Sequence, residues 1–203
     1  MKHIKPYRIF ESASTNFPTT KEEVIEVCEK YDIRKYTIND DLSIDVDGDV
    51  NLKGEGLEYL PLKFNYVSGY FGCSYNDLVS LKGSPQTVSG DFYCNSNILE
   101  TFEGSPKVVG GDFMCNNNEL KDLEHFPEVS DYINIDINPV YLLVYTFIEN
   151  EETDSFMIED FVDYEIVRNR DTVMLDRLQT FIRDNDLEMP DLEEIEKEYK
   201  IIE

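Results

Sequence analysis

The apolar and polar positions between residues 48 and 138 recur as blocks. Val88-Ser-Gly-Asp-Phe-Tyr-Cys-Asn-Ser-Asn-Ile-Leu99 returns 21 residues later as Val109-Gly-Gly-Asp-Phe-Met-Cys-Asn-Asn-Asn-Glu-Leu120. It also stands 21 residues earlier as Val67-Ser-Gly-Tyr-Phe-Gly-Cys-Ser-Tyr-Asn-Asp-Leu78. A fixed period of about 20 residues predicts a solenoid, because each unit is too small to bury its apolar side without a neighbour. The columns are Val67, Val88 and Val109; Phe71, Phe92 and Phe113; Cys73, Cys94 and Cys115; Asn76, Asn97 and Asn118; Leu78, Leu99 and Leu120; and Leu81, Phe102 and Leu123. Pro85 and Pro106 mark the return side, after Gly83 and Gly104. A degenerate first unit carries Val50, Leu52, Leu57 and Leu60, with Glu55 where Asn is expected. A last unit fits after one deletion, with Val129, Ile133, Ile135, Asn138, Val140 and Leu143. The reading is about five turns of 20–21 residues around a parallel sheet, with atypical ends that act as caps.

Side chains alternate along a strand, so Phe92 and Cys94 point inward while Tyr93 points to solvent. The register then predicts three outward rows. One is Asp49, Tyr70, Asp91, Asp112 and Tyr132; the next is Asn51, Gly72, Tyr93, Met114 and Asn134; the third is Lys53, Ser74, Asn95, Asn116 and Asp136, with Tyr75 alongside. Asn76, Asn97, Asn118 and Asn138 fall where the chain must bend away from the strand.

The flanks follow other patterns. Thr20-Lys-Glu-Glu23 has capping-box spacing before a helix from Lys21 to Tyr31, with Val24, Ile25, Val27 and Cys28 on its apolar side. Tyr36-Thr-Ile-Asn39, the turn Asp40-Asp41 and the alternation of Leu42, Ile44 and Val46 predict a hairpin feeding the first repeat. Residues 11–18 read as a polar linker. After Asn138-Pro139, an N-cap and first helical position, the apolar run Val140–Ile148 predicts a mostly buried helix. Glu149 to Asp154 reads as an acidic turn. Phe156, Met157, Phe161 and Val162 suggest a second helix, Thr172 to Arg183 a third, and Leu192 to Tyr199 a last, charged one. The expected organisation is α+β: an N-terminal tail, helix and hairpin cap over 1–47, a repeat solenoid over 48–138, and a helical C-terminal domain over 139–203.

The unit Phe-x-Cys-x-x-Asn-x-Leu-x-x-Leu resembles the leucine-rich repeat, Leu-x-Leu-x-x-Asn-x-Leu. Its length and its Pro-containing return resemble the short bacterial class of that family. The Cys-x-x-Asn, Leu-x-Gly-x-Pro and Val-x-Gly-Asp-Phe phrasing, with the leading Met-Lys-x-Ile-Lys, is similar to small repeat proteins encoded by bacteriophages. The repeat resemblance covers roughly half the chain. It implies a side-chain hydrogen-bond ladder for the asparagines, each satisfying backbone groups of adjacent turns.

Charge narrows the partners. The formal net charge is −25, with 15 acidic against 5 basic residues over 46–138 and 19 against 6 over 139–203. Direct contact with nucleic acid or anionic lipid needs lysines and arginines on the contacting face, so neither is expected. A basic partner is expected instead. The N-terminus is basic but has no apolar core of signal-peptide length, and no run is long enough to span a membrane. Four cysteines without an export signal point to a reducing cytoplasm, the host's if the chain is phage-encoded.

Candidate chemistry is sparse. His3 and His125 have no readable triad partners. Cys73, Cys94 and Cys115 fall on adjacent strands about 4.8 Å apart and face inward beside Phe, where Cys serves as a small hydrophobe. No metal site or cofactor is assigned. Asp45-x-Asp47-x-Asp49 starts like a calcium loop, but Val50 replaces the required glycine and Gly56 the closing glutamate. What remains is a surface: Tyr70, Tyr75, Tyr93, Met114 and Tyr132, types that bury area at low entropic cost, beside Asp91 and Asp112, which favour a basic partner. The expected function is non-catalytic binding of a host protein, to modulate or inhibit it. An acidic decoy occupying a nucleic-acid-binding site is the alternative, and an enzyme in the C-terminal helices is a third.

Overall fold

A computed structural model of the chain describes residues 17–148, with backbone alone over 145–148, and residues 161–203. The basic N-terminus, most of the polar linker, the acidic turn Glu149–Asp154, and Phe156 and Met157 of the expected second C-terminal helix lie outside the described residues.

The first helix, α1 (Lys21–Lys30), starts where the capping spacing places it. Thr20 Oγ1 accepts from the Glu23 N–H at 3.2 Å. Glu23 reaches back one residue further than expected, accepting from the Thr19 N–H at 2.7 Å and the Thr19 hydroxyl at 3.1 Å. Those bonds hold its carboxyl below the ordinary value. Val24 and Cys28 are buried, whereas Ile25 is exposed, so the apolar stripe is narrower than its sequence pattern. The hairpin follows as β1 (Tyr36–Ile38) and β2 (Ile44–Val46), antiparallel. Leu42 is not in the strand: it turns the chain in left-handed backbone, φ 64°.

From β2 onward the chain winds as a parallel β-solenoid. One stack runs through β2, β4 (Phe64–Val67), β6 (Thr87–Val88), β8 (Val108–Val109) and β10 (Glu128–Val129), all parallel. A second runs through β3 (Val50–Asn51), β5 (Phe71–Gly72), β7 (Phe92–Tyr93), β9 (Phe113–Met114) and β11 (Ile133–Asn134). Each turn therefore contributes two short strands joined at a corner. Because β2 pairs with both β1 and β4, the N-terminal hairpin is also the first rung of the stack.

Glycine makes the corner possible. Gly69, Gly90 and Gly111 lie directly over one another's backbone, each donating its N–H to the glycine one turn earlier at 3.0–3.1 Å. A Cβ on Gly90 would stand 2.9 Å from the Gly69 carbonyl carbon, so close approach excludes a side chain.

Between the stacks lies one core. Phe71, Phe92 and Phe113 are fully buried and stack nearly parallel, with centroids 5.4 and 5.5 Å apart. Beside them Cys73, Cys94 and Cys115 are fully buried free thiols, and burial pushes each thiol well above its ordinary pKa. Where the chain leaves the second stack, the asparagines close the turn. Asn97 accepts from the Leu78 N–H at 3.0 Å and donates to the Cys73 and Cys94 carbonyls at 3.1 and 3.0 Å. Asn118 repeats this with Leu99, Cys94 and Cys115; Asn76 does so with Leu57, Leu52 and Cys73. Asn138 spends its amide on Leu120, Cys115 and Ile135 rather than on a helix cap, and α2 (Tyr141–Ile148) begins three residues later.

The C-terminal region carries helices and, in addition, a three-stranded sheet that the apolar periodicity did not show. β12 (Val167–Arg168) pairs antiparallel with β13 (Thr172–Met174), and β14 (Lys200–Ile202) pairs parallel with β13. The expected helix from Thr172 therefore starts later, as α3 (Leu175–Asp184), with Leu178, Phe181 and Ile182 buried. The expected helix ending at Tyr199 is the short α4 (Leu192–Ile195), capped by Asp191. Tyr199 then locks this region to the solenoid: it is buried, and its hydroxyl donates to the Lys121 carbonyl at 2.6 Å.

Two outcomes test this architecture. Asn97→Ala leaves the Leu78 N–H and two cysteine carbonyls without their partner, and should lower unfolding stability by roughly 1–3 kcal/mol. A denaturation midpoint equal to wild type would rule out the ladder as a stabilising element. The three repeat thiols should resist alkylation in the native protein and react fully in denaturant; native-state labelling of any of them would place it outside the core.

Candidate functional site

The outward face of the second stack is built row by row. Asn51, Gly72, Tyr93, Met114 and Asn134 are direct cross-strand neighbours, as the 21-residue register requires. Tyr93 and Met114 are half-buried. Gly72 leaves a gap in this row, and the Tyr70 ring lies over it: a Cβ on Gly72 would sit 3.4 Å from Tyr70 Cε2. Tyr70 therefore lies along the sheet instead of projecting from it. Its ring stands 6.1 Å from that of Tyr93, tilted by 51°. The two make a continuous aromatic platform at the centre of the face.

The corner row is partly structural, which its composition does not reveal. Asp49 Oδ1 accepts from the Tyr70 N–H at 3.0 Å, Asp91 Oδ1 from the Asp112 N–H at 2.9 Å, and Asp112 Oδ1 from the Tyr132 N–H at 3.2 Å. Each carboxylate ties down the next turn and keeps its other oxygen for something else. At Asp91 that oxygen accepts from the Tyr93 hydroxyl at 2.5 Å. This bond, then burial, then the nearby Asp91 and Asp112 charges push the Tyr93 phenol up to about 12. Tyr93 is thus held neutral, with its ring fixed beside Tyr70.

The third row is less open than expected. Ser74 is buried and donates to Asn95 Oδ1 at 2.6 Å. Asn116 Oδ1 is the one buried side-chain polar atom among the described residues with no hydrogen-bond partner. Tyr75 is 58% exposed, with the Lys53 ammonium 4.8 Å above its ring. Tyr132 is also 58% exposed, at the other end of the face.

The structure thus brings Tyr70, Tyr93, Asp91, Asp112 and Met114 together at the centre, with Tyr75 and Tyr132 towards the two ends. Ile98 and Ile137, both exposed beside this face, were missed. The signal for Ile137 was present: it is the one aliphatic residue in the column of Gly54, Tyr75, Ser96 and Asn117. The Asp45, Asp47 and Asp49 series also resolves into links between turns. Asp45 accepts from Asn65 Nδ2 and Asp47 from the Ser68 hydroxyl. Among the described residues no group of three His, Cys, Asp or Glu side chains is placed to hold a metal ion. His125 lies on the return side, with Nε2 3.7 Å from Glu124.

A cavity of about 650 Å³ opens where the last return meets the C-terminal region, lined by Leu123, Phe161, Ile166, Asp122, Arg168 and Arg170. Burial raises the Asp122 carboxyl, and Arg170 at 3.8 Å works against that shift. Among the described residues no helix is long and apolar enough to cross a membrane. Compared with family models, curated proteins and solved structures, the chain matches none.

The Tyr93–Asp91 bond has a titration consequence. The folded-state pKa lies above the ordinary value near 10, so the phenol's contribution to stability is complete below pH 10 and is lost as pH rises towards about 12. The difference between spectrophotometric titrations of wild type and Tyr93→Phe should show one phenol ionising near the upper value. A difference component at the ordinary tyrosine value would show that the bond does not form in solution.

Proposed function

We propose that the chain is a non-catalytic, leucine-rich-repeat-like binding module whose partner is a protein with a basic surface. The observation that carries this reading is the Tyr70–Tyr93 platform, immobilised on a rigid sheet and bordered by Asp91 and Asp112. Rigid aromatics lose little entropy on binding, and a partner's Arg or Lys stem can cover a ring while its charged head meets a carboxylate. The three outward rows hold Lys53 as their one basic residue, so the face selects for positive charge and speeds encounter with it. The thiols that could act as nucleophiles point into the core, leaving rings, amides and carboxylates outside.

The resemblance to small phage-encoded repeat proteins gives this partner a setting. In that setting the partner is a host bacterial protein in the cytoplasm, a defence factor among the candidates, and binding modulates or blocks it.

A pull-down from bacterial lysate with mass spectrometry identifies the partner, and two variants locate it. Tyr93→Ala should weaken binding by at least about 1 kcal/mol. Glu193→Lys with Glu196→Lys, both exposed, in α4 and at its C-cap, should change it little. The opposite result, together with a steep loss of affinity with salt, would place the partner on the acidic C-terminal region and favour a nucleic-acid-mimicking decoy.

A further inference from the structure

One column of the solenoid is built in a conformation most side chains avoid. Just before each ladder asparagine the backbone is left-handed: Tyr75 has φ 59°, Ser96 58°, Asn117 57° and Ile137 56°, and Gly54 one turn earlier has 72°. This backbone crowds Cβ against the following carbonyl, and a β-branched side chain suffers most. Glycine and asparagine meet it cheaply, and two rungs use them. Isoleucine is the poorest fit of the five.

Burial does not repay that strain. Ile137 is 72% exposed, the largest value among the exposed large hydrophobic residues of the described chain. Nor is isoleucine needed to form the turn. The adjacent Asn138 amide already bonds Leu120, Cys115 and Ile135, and the Asn117 N–H bonds the Asp136 carbonyl at 2.8 Å. The fold therefore gives no reason for a bulky apolar group here. Tyr132, 58% exposed, lies on the same rung.

Acids predominate in the surroundings. Residues 107–121 and 128–140, which hold the strands and bends of the last two rungs, contain Asp112, Glu119, Glu128, Asp131 and Asp136 against Lys107 and Lys121. A second copy of this chain is a poor occupant, since each copy carries −25. A partner with an apolar recess rimmed by Lys or Arg is complementary in both shape and charge.

We infer that Ile137, with Tyr132, is an apolar anchor that inserts into a basic-rimmed recess of the partner, at a cost in stability to the free chain. This rests on the binding function proposed above and adds a second contact point, at the C-terminal end of the face.

The probe is a peptide selected on the intact wild-type chain from a random displayed library. Its affinity is then measured for Ile137→Asn, Ile137→Val, Tyr132→Ser and Tyr93→Ala, alongside each variant's melting temperature. Ile137→Asn should raise the melting temperature and weaken the peptide by about tenfold or more, the loss of one hot-spot contact. Ile137→Val, still apolar and β-branched, should keep most of the affinity without the gain in stability. The selected peptide should combine apolar residues with Lys or Arg. A lower melting temperature for Ile137→Asn would make Ile137 a residue of the fold, and unchanged affinity would remove it from the interface; either result overturns this inference. If Tyr93→Ala alone destroys binding, the wider function stands and this anchor falls. Peptides without positive charge, binding indifferent to all four variants, or no binder at all would overturn both.

Discussion

The structure depends on one side chain doing three things at once. Where each turn leaves the second stack, the bend would orphan a backbone N–H of the preceding turn and two carbonyls, all inside the core. Asparagine carries one acceptor and two donors on a planar head, and Asn97 matches them to Leu78, Cys73 and Cys94. Aspartate offers no donor and serine is too short to span two turns. The carbonyl three residues earlier is part of the same device, whether the residue is Cys94, Cys115 or Ile135. All four ladder asparagines are buried, so water does not compete for these bonds, and losing one leaves its partners unpaired.

With the turn fixed from inside, its outer residue is free to vary, and the column Tyr75, Ser96, Asn117 and Ile137 does vary. The corner is constrained differently. There Gly69, Gly90 and Gly111 carry no Cβ, so that backbones can touch, and Asp49, Asp91 and Asp112 accept the next turn's N–H. Asp91 and Asp112 consequently belong to the fold as well as to the surface, Asp91 through both oxygens and Asp112 through one. A substitution at either position changes both.

What the sequence shows, and what it hides, follows from the range of each interaction. The 21-residue period was legible because three successive rungs repeat the same local demand: a Phe to stack, a Cys beside the amide, an Asn at the bend. The first stack was not recognised as a sheet, since pairs such as Thr87–Val88 and Val108–Val109 are two residues long and show no alternation. The small C-terminal sheet was hidden for a related reason. Lys200–Ile202 pairs with Thr172–Met174 across two intervening helices, and neither segment carries a pattern of its own. In the face, residue types and register were readable, but the positions of the rings were not. That Tyr70 lies over Gly72 depends on a missing side chain in the neighbouring row. That Asp91 holds both a backbone N–H and the Tyr93 hydroxyl depends on the corner geometry.

The same geometry explains how so acidic a stack holds together. Equivalent positions on adjacent rungs are about 4.8 Å apart, so a column containing Asp91 and Asp112 sets like charges side by side. Each carboxylate there accepts a backbone N–H, whose partial positive charge offsets part of the repulsion, and Asp91 gains a phenol as well. The compensation is local and leaves the net charge of the face untouched. Its acids are therefore tolerable within the fold yet still attract positive charge from outside. A partner that brings a guanidinium or ammonium group to this row relieves repulsion that the chain alone cannot remove, and that relief adds to whatever contact the tyrosines provide.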